Sequence, residues 1–145
     1  MIHYFSQTGN TKLLGDFLKD NINDSKTIYV GFWTDKGNAN QEALDYLKTL
    51  YHQKIFLFGT AGFGKSEEYF KRIINKVKES IDSTNEVVGS FMCQGKMPDS
   101  VLQRYLSLKE SDKAPKNIDL LIENYYEALN HPNEEDLENL KKAIV

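Results

Sequence analysis

Four short stretches of the chain carry residue types that do chemistry, and each stands where a strand pattern ends. Ser6-Gln7-Thr8-Gly9-Asn10-Thr11 supplies hydroxyls, a side-chain amide and a glycine just ahead of a helical pattern. Backbone N–H groups and the positive end of a helix dipole favour an anion such as phosphate, and Gly9 permits close approach. No Lys or Arg lies inside this loop, so neutral donors would do the binding. A plain capped turn with no ligand explains the same residues. Gly59-Thr60-Ala61-Gly62-Phe63-Gly64-Lys65-Ser66 matches G-x-x-x-x-G-K-[ST], the pattern of a nucleoside-triphosphate loop, between a strand and a helix. Against that reading, no later strand ends in an Asp placed to hold Mg²⁺, since Glu86–Cys93 runs into Met92-Cys93-Gln94.

The other two stretches are aromatic or polar. Phe32-Trp33-Thr34-Asp35-Lys36-Gly37 contains the single tryptophan, and Phe63 stands in the next strand-end loop. Two aromatics at neighbouring strand ends suit a flat ring between them, each stacked contact contributing about 0.5–1.5 kcal/mol beyond area burial. Either one alone is more often a packing residue, and it is the pair together, beside a phosphate-suited loop, that favours the ring. Cys93-Gln94-Gly95 closes the last strand, with Lys96 next. Gln94 and the backbone amides there suit the polar edge of a ring. Cys93 has no histidine near it in sequence and reads as a buried, inert thiol. His3, His52 and His131 are scattered, with no metal-ligand spacing.

These loops need a scaffold that brings strand ends together. Strand patterns at Ile2–Phe5, Thr27–Phe32, Ile55–Phe58 and Glu86–Cys93 alternate with helical stripes at Thr11–Asn23, Asn40–Tyr51 and Ser66–Ile81. Ile55-Phe56-Leu57-Phe58 is apolar throughout, as in a parallel strand buried on both faces. Alternation of this kind predicts an α/β doubly wound parallel sheet of four strands between helical layers. Ligands of such sheets bind beyond the carboxyl ends of the strands. Three more helices follow at Asp99–Leu108, Asn117–Asn130 and Glu134–Ile144. Asn133 is the expected N-cap of the last, with acids in its first turn and Lys141 and Lys142 in its last.

Composition sets the bounds. The 145 residues predict one domain over 1–145, with 110–145 as a helical extension packed on it. Net charge is −3 and the pI about 5.6, which argues against a nucleic-acid partner. One cysteine excludes an internal disulfide and fits a reducing compartment. No apolar run nears the ~20 residues of a membrane span, and the N-terminus lacks the features of a signal peptide. The expected location is cytoplasmic.

With these features in place, the chain resembles the flavodoxin family. The family's phosphate loop reads [ST]-x-T-G-x-T after the first strand, and Ser6–Thr11 satisfies it. Gly31–Gly37 and Phe58–Gly64 look like its two flavin-bracketing loops. The segments G-F-W-x-D-K-G (31–37), F-x-C-Q-G-K (91–96) and H-P-x-E-E-D-L (131–137) are similar to a small group of single-domain flavodoxin-like proteins, some associated with bilirubin reductases. The resemblance implies FMN as cofactor and electron transfer to a partner reductase as function, in preference to a flavin-dependent NAD(P)H:acceptor oxidoreductase. It implies that Ser6, Gln7, Thr8, Gly9, Asn10 and Thr11 hold the phosphate. Trp33 and Phe63 pack on the ring. Residues Phe32, Thr34, Asp35, Lys36, Gly37, Gly59, Thr60, Ala61, Gly62, Gly64, Cys93, Gln94 and Gly95 complete the cofactor site.

Two departures from the family stand out. Only one helix and one strand fit between Thr11 and Trp33, so the family's second strand is missing and Ile2–Phe5 is left at an edge. An open edge is a pairing liability, which the C-terminal helices or a second copy of the chain are expected to cover. Lys36, Lys65 and Lys96 stand in or beside the flavin-side loops against Asp35 alone. Nearby cations stabilise an anion, so the fully reduced flavin is expected at a less negative potential than is usual in the family.

Overall fold

A computed structural model describes residues 1–23 and 26–144. Its elements are β1 (Ile2–Tyr4), α1 (Asn10–Asn21), β2 (Thr27–Asp35), β3 (Asn38–Ala39), α2 (Gln41–Leu47), β4 (Lys54–Ala61), α3 (Glu67–Lys78), β5 (Glu86–Gln94), α4 (Asp99–Lys109), α5 (Ile118–Ala128) and α6 (Glu134–Ala143). Four parallel strands lie in the order β1-β2-β4-β5, and β3 pairs antiparallel with the end of β2.

The period-2 alternation of side chains in β2 and β4 builds the layers. Val30 and Phe32 on β2, with Ile55 and Leu57 on β4, face one way and pack with α2 and α3. Tyr29, Phe56 and Phe58 face the other way and pack with α1 and α6. Both central strands are therefore covered on both faces, which accounts for the unbroken apolar run of β4. Two glycines allow the strands to sit so close. A Cβ at Gly31 would lie 2.4 Å from the ring of Phe58, its cross-strand partner. A Cβ at Gly59 would lie 2.4 Å from the ring of Phe32, its own partner. Each glycine makes room for the phenylalanine beside it.

The missing second strand is reflected in the topology: β1 is an edge and pairs only with β2. The C-terminal helices go elsewhere. α6 packs on α1 and β5, while α4 and α5 pair as a hairpin with its own small core of Met97, Leu102, Tyr105, Ile118 and Tyr125. Among the described residues no strand pairs with the outer side of β1.

Two strands run past the ends their sequence patterns suggest. β4 continues through Gly59-Thr60-Ala61. β2 continues through Trp33-Thr34-Asp35 and folds back on β3. The reversal is a two-residue turn at Lys36 (φ 53°) and Gly37 (φ 80°). Two positive φ angles in succession match the turn whose twist suits a hairpin. The fifth strand, of only two residues, escapes a pattern search because it is too short to show periodicity. Among the described residues no helix is long and apolar enough to cross a membrane.

Candidate functional site

The carboxyl ends of the strands surround a cleft of about 480 Å³, within the range of small-molecule sites. One end is the loop entering α1. Gly9 caps the helix at φ 88°, ψ −4°, a left-handed conformation that favours glycine. Ser6 Oγ accepts the N–H groups of Gly9 (3.1 Å) and Lys12 (3.3 Å), and Leu13 N–H reaches Gly9 O (3.1 Å). The amides of Asn10 and Thr11, in the first turn, have no intrahelical acceptor. No acid occupies that turn. An anion placed there would meet unpaired donors and the dipole's positive end.

Asn10 ties this end to the far loop. Its Nδ2 donates to Thr8 Oγ1 and to Lys96 O, both at 2.8 Å. A Cβ at Gly95 would lie 2.6 Å from that nitrogen, so the loop after β5 closes against Asn10 only with glycine there. Gly62 does the same on the other wall, where a Cβ would lie 2.2 Å from Met97 Cγ.

The aromatic wall is fixed from behind. Trp33 N–H donates to Asn40 Oδ1 (3.3 Å), and Trp33 O accepts Asn40 N–H (2.9 Å). Trp33 is half-buried, whereas Phe63 is 54% exposed at the cleft's edge. Tyr69 of α3 stands behind Gly64, and burial raises its phenol above the ordinary value. The loop carrying Gly62 is held from α5: Asn124 Nδ2 donates to Gly62 O (2.7 Å), and Gln94 Nε2 donates to Asn124 Oδ1 (3.0 Å).

Of the residues expected at the site, Gln7, Thr8, Asn10, Trp33, Thr34, Asp35, Lys36, Gly37, Thr60, Ala61, Gly62, Phe63 and Gly95 line the cleft together. Others stand behind it. Ser6 and Gly9 shape the loop. Thr11 turns its hydroxyl inward, to Phe32 O (2.9 Å) and Thr60 Oγ1 (3.3 Å), and is fully buried. Phe32 and Gly59 fill each other's space in the sheet, and Gly64 packs on Tyr69. Gln94 acts through Asn124. Cys93 points into the core beside Leu14, Leu18 and Leu140. Its burial, with a smaller push from the Asp136 charge, raises the thiol well above its ordinary value, so it stays protonated.

Sequence reasoning passed over Met97, Pro98, Ser100, Val101 and Arg104, which form the wall contributed by α4 and its approach. They follow the last strand on a helix without chemical motifs, and only tertiary packing brings them to the cleft.

The structure also bears on the triphosphate-loop reading. Gly59, Thr60 and Ala61 are paired in register with Met92, Cys93 and Gln94, so this half of the motif is straight strand rather than a curl of free amides. Ser66 caps α3 by accepting Tyr69 N–H (3.1 Å), and Lys65 pairs with Glu127. The letters of the motif are present without its geometry.

The site fits a phosphorylated flat ring on its own terms. Asn10 Oδ1 and Thr34 Oγ1, on two walls of the cleft, are buried with no hydrogen-bond partner. Buried polar atoms are rarely left so, and a ligand with polar edges would satisfy them.

Comparison with known proteins agrees with this architecture. The family model for the flavodoxin domain matches residues 16–145. The chain is 40% identical over 127 residues to the flavodoxin-like domain-containing protein BilS of Clostridium symbiosum (strain WAL-14163), covering 84% of this chain and 67% of that protein. It is 29% identical to the protein of the same name from Clostridioides difficile (strain CD3), covering 94% and 89%. Its fold is similar to that of oxidised flavodoxin 2 from Bacillus cereus, with a TM-score of 0.51 at 16% identity over 97% of this chain and 91% of that one. The family match begins at Asp16, beyond the Ser6–Thr11 loop, so the loop and the rest of the chain point the same way independently. The chain belongs to the flavodoxin family.

Proposed function

We propose that the cleft binds FMN and that the protein carries electrons to a partner protein. The observation that carries this reading is the opposition, across one cleft, of a helix N-terminus with unpaired amides and the aromatic pair Trp33 and Phe63. The phosphate would take the amides of Asn10 and Thr11 with the Thr8 hydroxyl. Trp33 and Phe63 would lie against the ring, and backbone groups of residues 35–37, 60–62 and 95 would meet its polar edge. Bound FMN would supply the redox chemistry. The protein supplies binding, orientation and field. Lys36, Lys96 and Arg104 line the cleft against Asp35, so the field at the ring is positive and favours the fully reduced, anionic flavin.

The test is a titration of the protein with FMN and, in parallel, with riboflavin, which lacks the phosphate. Trp33 is the only tryptophan, so its fluorescence reports the ring end alone. One-to-one binding of FMN with quenching, and weaker binding of riboflavin, is the expected result. Unchanged absorbance and fluorescence would refute the reading. Rapid bleaching of bound flavin by NAD(P)H alone would replace the carrier role with a reductase.

A further inference from the structure

We propose that the cleft face is the docking surface for an electron-transfer partner that presents an acidic face, so that recognition runs from a basic carrier to an acidic partner. The inference rests on the function proposed above and names the chemistry of the partner. The chain as a whole is acidic, with net charge −3. The cleft inverts that sign. Three cations line it, Lys36, Lys96 and Arg104, against the single carboxylate of Asp35, and all four side chains belong to exposed residues.

The cations of this face also keep their charge free of carboxylates, although Arg104 lies over the Tyr105 ring (5.9 Å). Lys65, the other lysine near these loops, is by contrast taken up by Glu127. Among the described residues Lys36, Lys96 and Arg104 have no carboxylate within salt-bridge distance. They come from three separate segments: the β2–β3 turn, the loop after β5, and α4. Their convergence is therefore a product of the fold. Phe63 stands among them, half exposed. An exposed aromatic among charges mostly of one sign is the make-up of a small, steered interface, in which the charges guide encounter and the ring anchors it. Weak redox complexes occupy the small end of interface sizes and depend on such steering.

Two measurements test the proposal, with cytochrome b5 as a probe bearing carboxylates around its haem edge and cytochrome c as one bearing lysines. The first is amide shift mapping of ¹⁵N-labelled protein, which needs no flavin. Cytochrome b5 is expected to shift the amides of residues 36–37, 63, 96 and 104, with the shifts lost at high salt, and cytochrome c is expected to leave them in place. The second is stopped-flow transfer from the FMN-loaded protein, reduced stoichiometrically beforehand, to each ferric cytochrome. One electron leaves the flavin for each haem iron reduced. Transfer to cytochrome b5 is expected to fall at least about tenfold between low and high ionic strength. Charge reversal by Lys36→Glu, Lys96→Glu and Arg104→Glu together is expected to exchange the preference for the two cytochromes. Faster transfer to cytochrome c than to cytochrome b5, or shifts elsewhere on the molecule, would overturn the docking proposal. A chain that takes up no FMN yet shows the mapped face would overturn the functional reading and leave the docking surface standing.

Discussion

Replacing Asn124 by leucine tests whether the C-terminal hairpin holds the cleft or merely lies beside it. Asn124 is the middle link of a chain that runs from Gln94 through α5 to Gly62 O, with hydrogen bonds of 3.0 and 2.7 Å. Leucine keeps the side chain's size and raises helix propensity by about 0.4 kcal/mol, while removing both bonds. The bond to Gly62 O is worth about 1 kcal/mol net, and breaking the other, which strands a buried partner, costs ~1–3 kcal/mol. Gln94 is that partner. It is 2% exposed, and its Oε1 already has no hydrogen bond. Asn124→Leu should therefore destabilise the protein by about 2–4 kcal/mol, lowering Tm by roughly 5–12 °C for a domain of this size. Urea unfolding followed by Trp33 fluorescence and by far-ultraviolet circular dichroism measures the loss.

A second substitution separates the network from simple packing. In Gln94→Leu/Asn124→Leu no polar group of the pair is left stranded, and replacing both partners of a buried hydrogen bond by apolar groups is far cheaper than replacing one. The double variant should be more stable than Asn124→Leu alone, by about 1 kcal/mol. Binding should weaken equally for FMN and riboflavin in the single variant, because Gly62 stands at the ring end. A loss below about 0.5 kcal/mol for Asn124→Leu, or strict additivity in the double-mutant cycle, would refute the argument.

The remaining predictions address other parts of the molecule. Gly9→Ala meets no steric obstacle, since a Cβ there has nothing within 4 Å, so its cost is backbone strain alone, about 1–2 kcal/mol at φ 88°. Binding of FMN should weaken more than binding of riboflavin, which a parallel titration reads directly. Cys93 has its folded-state value raised above the ordinary 9.0 by burial. Its contribution to stability is therefore complete below the unfolded value and lost as pH rises beyond it, with a slope approaching about 1.4 kcal/mol per pH unit. Urea midpoints between pH 8 and 10 should fall more steeply for the wild type than for Cys93→Ala. Asn133→Ala removes a reciprocal cap in which Asn133 Oδ1 accepts Asp136 N–H (3.0 Å) and Asp136 Oδ2 accepts Asn133 N–H (2.9 Å). The expected loss is about 1–2 kcal/mol in the same unfolding assay.

The layered sheet was legible because its signals are local. Ile55–Phe58 is apolar on both faces and could only be an interior strand, and the spacing between Thr11 and Trp33 left no room for another strand before β2. The cap at Asn133 could be read from four consecutive residues, and the structure places it there. The Ser6–Thr11 loop was legible as a segment but not atom by atom. Nothing in Thr8-Gly9-Asn10-Thr11 says that Thr8 lines the cleft while the Thr11 hydroxyl turns inward to Phe32 O, because the choice depends on a strand that arrives later in the chain. Lys65 illustrates the same limit. In sequence it stands beside the flavin-side loops, and only the return of α5 reveals that Glu127 claims it. Arg104 is the converse, silent in sequence and brought to the cleft by the α4–α5 hairpin.

These exchanges give the C-terminal helices a role beyond covering the core. If α4 and α5 were absent, the ends of β4 and β5 would still form two walls of a cleft, since the strand register is set within the sheet. The loop at Gly62 would lose its tie to Asn124, Met97 would lose the helices it packs with, and Lys65 would lose its carboxylate partner. The hairpin thus fixes one wall, contributes Arg104 to the cleft and neutralises Lys65 nearby. The positive sign of the cleft and that of the proposed docking face have a common origin in Lys36, Lys96 and Arg104. Glu127→Gln would free Lys65 without touching the cleft lining, so it should shift the flavin potential in the positive direction. An unchanged or more negative potential would break that link.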